Sequence, residues 1–205
     1  ATNPMEVQQH GNYFEDLKIK ELTGYGKEEY DSFKSNGYTS SMDLVEGLHV
    51  DRNYSIKTAK GNKVDCGDIL RRMVEDDYKI VIGLWKQSGD NKIFHTEYTF
   101  NIKPEDMVKL WGNMKYEDVK EFDSFIKSIP SGKDAQQATT AERTLRKKAI
   151  ADKNALMVIH PKVDSKNQRR VQCSFKIDQM IKSGVEYTKK DINIVIHSPK
   201  RKFNK

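Results

Sequence analysis

The alternation of apolar and polar positions divides the chain into a series of readable elements. Over residues 7–23, Phe14, Leu17 and Leu22, with Ile19 beside them, recur at helical spacing, and the Gly24/Gly26 pair ends the segment. A polar, tyrosine-containing loop runs to Ser41, with a helical turn predicted over 28–33. Residues 41–57, SMDLVEGLHVDRNYSIK, read as two short strands joined by a tight connection. In the second, NYSIKTA, period two places Tyr54, Ile56 and Thr58 on one face and Ser55, Lys57 and Ala59 on the other. After a turn at TAKGN, a helix is predicted over 65–77. Its stripe is Cys66, Ile69, Leu70, Met73 and Val74, with Arg71 and Arg72 directed elsewhere.

YKIVIGLWK is a β-branched run that predicts a central strand, SGDN supplies hairpin chemistry, and KIFHTEYTFNI returns as the next strand. Pro104 opens and Gly112 closes a short helix. Residues 116–129 predict a longer one on Val119, Phe122, Phe125, Ile126 and Ile129. From 130 to 154 large apolar residues almost vanish, which predicts a solvated helix or an arm that orders on binding. LMVIHPKV and RRVQCSFKI form a hairpin across DSKNQ, DINIVIHS is a last strand, and PKRKFNK is a basic tail. The order of elements predicts an α/β fold, a mixed central sheet flanked by helices. We expect a single domain over 1–205: a core over 1–129, a basic arm or helical insertion over 130–155, and a hairpin, last strand and tail over 156–205.

Charge changes this picture. Residues 133–205 hold 18 Lys+Arg against 7 Asp+Glu, whereas residues 1–132 hold 18 against 23. A sign split of this kind predicts that the basic third grips a polyanion while the rest does other work; the alternative is a lysine-rich solubilising surface. No apolar run approaches the roughly 18 residues of a membrane span, and ATNPMEVQQHG has no secretory pattern. Cys66 and Cys173 lie far apart in apolar patterns and read as reduced core thiols. The expectation is an intracellular, cytoplasmic protein with no membrane partner.

Candidate chemistry centres on Asp43 and Lys57. If the strand carrying Asp43 is the antiparallel neighbour of NYSIKTA, carboxylate and ammonium meet at one sheet edge with room for a divalent cation and a phosphate. The competing reading is an exposed hairpin with ordinary surface charges. Lys162, Lys166, Gln168, Arg169, Arg170 and Gln172 lie on the late hairpin, a two-stranded ribbon that suits a DNA major groove; Arg and Gln read base edges and Lys contacts phosphates. Lys133, Arg143, Arg146, Lys147 and Lys148 on the arm, with Lys200, Arg201 and Lys202 in the tail, are expected as further backbone contacts; a disordered basic segment is the alternative. His10, His49, His95, His160 and His197 lack zinc-enzyme spacing, and no phosphate-binding glycine loop is present.

The element order together with the Asp43/Lys57 pair resembles the PD-(D/E)xK nuclease superfamily, and within it the small type II restriction endonucleases. The resemblance covers the layout of about residues 7–100, and its signature is only a few residues long. It implies that Asp43 is the first acid, Lys57 the lysine, and Glu15, within GNYFEDL, the assisting helix glutamate. Ser55 stands where the family usually has Asp or Glu, so Glu46, Glu15 or a water is expected to fill that position, with Asp43, Glu15 and Glu46 as the implied metal ligands. The implied activity is Mg²⁺-dependent, sequence-specific cleavage of double-stranded DNA by a homodimer, since a palindrome calls for two sites. A DNA-binding protein without catalysis, and a repair or junction nuclease of the same fold, are the alternatives.

Overall fold

The computed structural model describes residues 4–35 and 41–199, with side chains from Tyr13 onward. The chain is mixed α/β and forms two sheets. Helix α1 spans Pro4–Thr23 and α2 Lys27–Ser32. Strand β1 (Tyr54–Ala59) is followed by β2 (Lys63–Asp68) and α3 (Ile69–Met73), then by β3 (Tyr78–Ser88) and β4 (Asn91–Ile102). A 3-10 turn at Pro104–Asp106 leads into α4 (Met107–Trp111) and α5 (Tyr116–Ser128). The arm folds as α6 (Lys133–Ala138) and α7 (Thr140–Ile150). Strands β5 (Val158–Val163) and β6 (Arg169–Lys176), helix α8 (Ile177–Lys182) and strand β7 (Glu186–His197) complete the order.

The elements divide into two compact units made of interleaved segments. One comprises 1–62, 77–102 and 185–205; the other comprises 63–76 and 103–184. This division does not follow the linear one into 1–129, 130–155 and 156–205. In the first unit the strands lie in the order β1-β3-β4-β7, with β1 parallel to β3 and the other pairs antiparallel. Ile56 stands opposite Val81, and Lys57 opposite Ile82. Phe14, Ile19, Tyr30, Leu44, Tyr54, Ile56, Val81 and Phe94 form the core on the face covered by α1. Burying such side chains stabilises by roughly 1.5–3 kcal/mol each.

In the second unit the order is β2-β6-β5, all antiparallel. The helix predicted over 65–77 is a strand followed by a short helix. Val64 and Cys66 are both buried, and β2 pairs with β6 at Lys63, Val64, Asp65 and Asp68, which satisfies the backbone better than a stripe broken by Gly67 at φ +74°. Asp68 then caps α3 by accepting from the Arg71 amide at 3.0 Å. Arg72, expected outside, is fully buried and donates to the Cys66 carbonyl at 3.2 Å, whereas Val74 is exposed. Both cysteines are free and buried. Among the described residues no helix is long and apolar enough to cross a membrane. The basic tail at 200–202 lies outside the described residues.

Candidate active site

The site is built by α1 lying close to the sheet. Phe14 stacks on Phe94 with centroids 5.1 Å apart, and its ring occupies the space above Gly83 where a Cβ would stand only 2.7 Å from Cζ. A glycine at this point lets the helix approach within ring contact. The residue after Phe14 is Glu15, which this packing carries to the β1 side of the sheet.

Asp43 arrives from the loop before β1. That loop is pinned by Tyr30, whose buried hydroxyl accepts from the Val45 amide and donates to the Leu48 carbonyl, both at 2.9 Å. The predicted Asp43 strand is reduced to one antiparallel bridge between Leu44 and Tyr54. Because β1 is an edge strand, its outward amides need partners. The Asp43 amide donates to the Tyr54 carbonyl at 2.8 Å, and Asp43 Oδ2 accepts from the Ile56 amide at 2.6 Å. The side chain therefore stands in for a ladder partner and holds its carboxylate at the open edge of β1.

There it meets Glu15. The two carboxyls share a hydrogen bond, and burial, followed by the charge and hydrogen bond of Asp43, pushes the Glu15 pKa up to about 7. Lys27 works against this shift, with Nζ 3.2 Å from Glu15 Oε2. Lys27 is placed by its own amide, which donates to Asp16 Oδ1 at 2.8 Å.

Lys57 lies one residue beyond Ile56, so Asp43 is bonded to the peptide next to it. The Lys57 side chain is half-buried, on the strand face opposite Ile56, and forms no ion pair with Asp43. Ser55 is fully buried on the same face as Lys57. Glu46 does not complete the carboxyl pair. It sits exposed in the turn before β1, with its amide on Asn53 Oδ1 at 2.8 Å and no bond to Glu15 or Asp43.

Among the described residues no three His, Cys, Asp or Glu side chains form a metal group. The donor set at the β1 edge nonetheless fits a hard divalent cation. Two adjacent carboxyls, one of them pushed toward its protonated form, gain from a cation between them, and Mg²⁺ needs only one or two protein carboxylates because it keeps its waters.

The expected DNA contacts divide into two groups. Arg169 is committed internally: its guanidinium donates to the carbonyls of Ile129 at 3.2 Å, Pro130 at 2.6 Å, Asp164 at 3.1 Å and Gln168 at 2.7 Å. Arg143 folds back onto Gln136 O at 2.6 Å and onto the hydroxyls of Thr139 and Thr140. Arg146 pairs with Glu142 at 2.7 Å and lies over the Phe125 ring at 4.0 Å. Lys133, Lys147, Lys148, Lys162 and Lys166 form no ion pairs among the described residues. Lys162 stands across from Arg170 on the hairpin, and His160 across from Gln172. The Gln168 amide oxygen faces the Arg170 guanidinium.

Comparison with family models, with curated proteins and with solved structures returned no match for the chain. Three parts of the site had no sequence signal: Lys27 as the partner of Glu15, Tyr30 as the loop pin, and Gly83 as the seat of Phe14. Each depends on a contact between residues distant in the chain.

Proposed function

We propose that the chain is a Mg²⁺-dependent endonuclease that hydrolyses phosphodiester bonds of double-stranded DNA at a specific sequence, on a restriction-endonuclease-like fold and as an intracellular homodimer. The observation that carries this reading is the Glu15–Asp43 carboxyl pair held at the open edge of β1, one peptide from Lys57. Glu15 and Asp43 would hold the cation, which when bound supplies polarisation of the scissile phosphate and a lowered pKa for water. Asp43 fixes its carboxylate through the Ile56 amide, so the ligand is oriented before any metal arrives. Lys57 orients the attacking water or stabilises developing charge on the phosphate. Ser55, neutral where the family has an acid, contributes no charge, and two carboxylates suffice. The lysines of the second unit that form no ion pair among the described residues, Lys147, Lys148, Lys162 and Lys166 included, grip the phosphate backbone together with Arg170, with Gln172 available to a base edge.

The test is incubation with long duplex DNA and Mg²⁺. Discrete fragments that disappear in Asp43→Asn and in Lys57→Ala support the reading, and fragments from one sequence motif set it apart from a junction or repair nuclease. Binding without cleavage under any divalent metal overturns it. That outcome favours a second reading, a DNA-binding protein without catalysis, which draws on the bond from Ile56 to Asp43: the carboxylate then serves only to cap the strand edge.

A further inference from the structure

The outward face of the second sheet concentrates positive charge around a histidine. On β5 it carries His160 and Lys162, on β6 Arg170, Gln172, Ser174 and Lys176, and on β2 Lys63 and Asp65. His160 stands across from Gln172, and its Nε2 lies 2.6 Å from the Oγ of Ser174, a residue only 3% exposed. Burial lowers the pKa of the imidazole, and the positive charges of Lys63, Lys147 and Lys162 add to that effect, against a weaker opposing pull from Asp65. The charge of Lys147, on α7, also acts on the His160 ring. Asp65 is drawn partly toward Lys63 at 3.7 Å, and Asp68 is occupied in capping α3.

Three ammonium groups stand against one carboxylate, Asp65, around this histidine, which leaves the spot with net positive charge. A phosphate diester docked among them reverses the local field, and a proton from solvent on the imidazole then becomes favourable. The Ser174 hydroxyl serves both states, because it donates to a neutral ring nitrogen or accepts from a protonated one. We propose that this face seats a backbone phosphate of duplex DNA between Lys147 and Lys162, and that His160 takes up a proton as it docks, so that the grip tightens as pH falls. The inference rests on the DNA-binding part of the function proposed above and assigns His160, Ser174 and Lys63 to it.

The experiment is duplex affinity by fluorescence anisotropy in EDTA, where no cleavage occurs, with the full chain at about pH 7.5 and about pH 5.5. A single linked proton changes affinity by at most about tenfold per pH unit. We expect His160→Gln to lose most of the histidine-linked rise in affinity seen in the parent protein. Lys147→Ala and Lys162→Ala should each weaken binding and reduce the salt slope by about one. By NMR, the titration midpoint of the His160 ring should move upward when duplex is added, a readout that needs no variant to fold.

An unchanged midpoint, or lysine variants with parental affinity and salt slope, would overturn the inference. Cleavage in Mg²⁺ separates its failure from that of the nuclease reading. Parental cleavage with silent lysine variants sinks only the inference, and patch-dependent binding without cleavage sinks only the nuclease.

Discussion

The ring of Phe14 rests directly on the backbone of Gly83, and this contact sets how close α1 lies to the sheet. A methyl at Gly83 would meet the ring at 2.7 Å. Gly83→Ala should therefore destabilise the chain by about 1–3 kcal/mol in urea unfolding. In the still-folded protein, DNA cleavage should fall as well, because displacing Phe14 displaces Glu15. Adding Phe14→Leu to Gly83→Ala should restore much of the stability. A Gly83→Ala chain with parental stability and cleavage would break the link between packing and site.

Stability should fall as pH rises through neutrality. Glu15 carries a pKa of about 7 in the folded chain against an ordinary 4.5, so the folded state holds its proton more tightly than the unfolded one. Its contribution is complete below the unfolded value and is lost as pH passes the folded one. Discounted for partial exposure, we expect a loss of about 1–3 kcal/mol across this range. Glu15→Gln should flatten that part of the profile. Above neutrality Mg²⁺ should raise the Tm of the parent and leave Asp43→Asn unmoved; equal responses would remove the carboxyl pair as a cation site.

Lys18 and Glu97 form a buried pair at 2.9 Å, with side chains 5% and 7% exposed; Glu21 and Lys190 bond them from the rim. Removing one member strands the other charge, so Lys18→Met should cost about 3–5 kcal/mol. Lys18→Met with Glu97→Leu should recover a large part of it. A double variant no better than the single one would show that the pair is not the source of the loss.

Arg169 ties the start of the arm to the hairpin through the carbonyls of Ile129 and Pro130. Arg169→Ala should accelerate hydrogen exchange over 130–140 and weaken DNA binding evenly across sequences. Relaxed discrimination at one base position, with exchange unchanged, would instead return Arg169 to the role of base reader.

The parts legible in the sequence were those with a strong local period. Strands β3 and β4, helix α5 and the β5–β6 hairpin follow directly from alternation or from a helical stripe. Strand β2 was not legible, because its inward pair, Val64 and Cys66, is too short to distinguish from a helical stripe continuing to Ile69. The Asp43 strand was over-read, since one bridge suffices when a carboxylate replaces the next ladder bond. Arg143, Arg146 and Arg169 looked like free cations, because sequence does not record where a long side chain bends. Glu15 and Asp43 lie together and Glu46 lies apart in its turn, a difference set by how the loop before β1 folds.

The chain passes between its two units at residues 62/63, 76/77, 102/103 and 184/185. During synthesis the second unit has all its segments once Gly184 has emerged, but the first still lacks β7. Until Glu186–His197 arrives, β4 presents ten or more unpaired backbone positions on an open edge, from Asn91 to Asn101. As Gly184 emerges, the second unit would thus have all its parts while the sheet of the first is one strand short and prone to pair with the wrong partner.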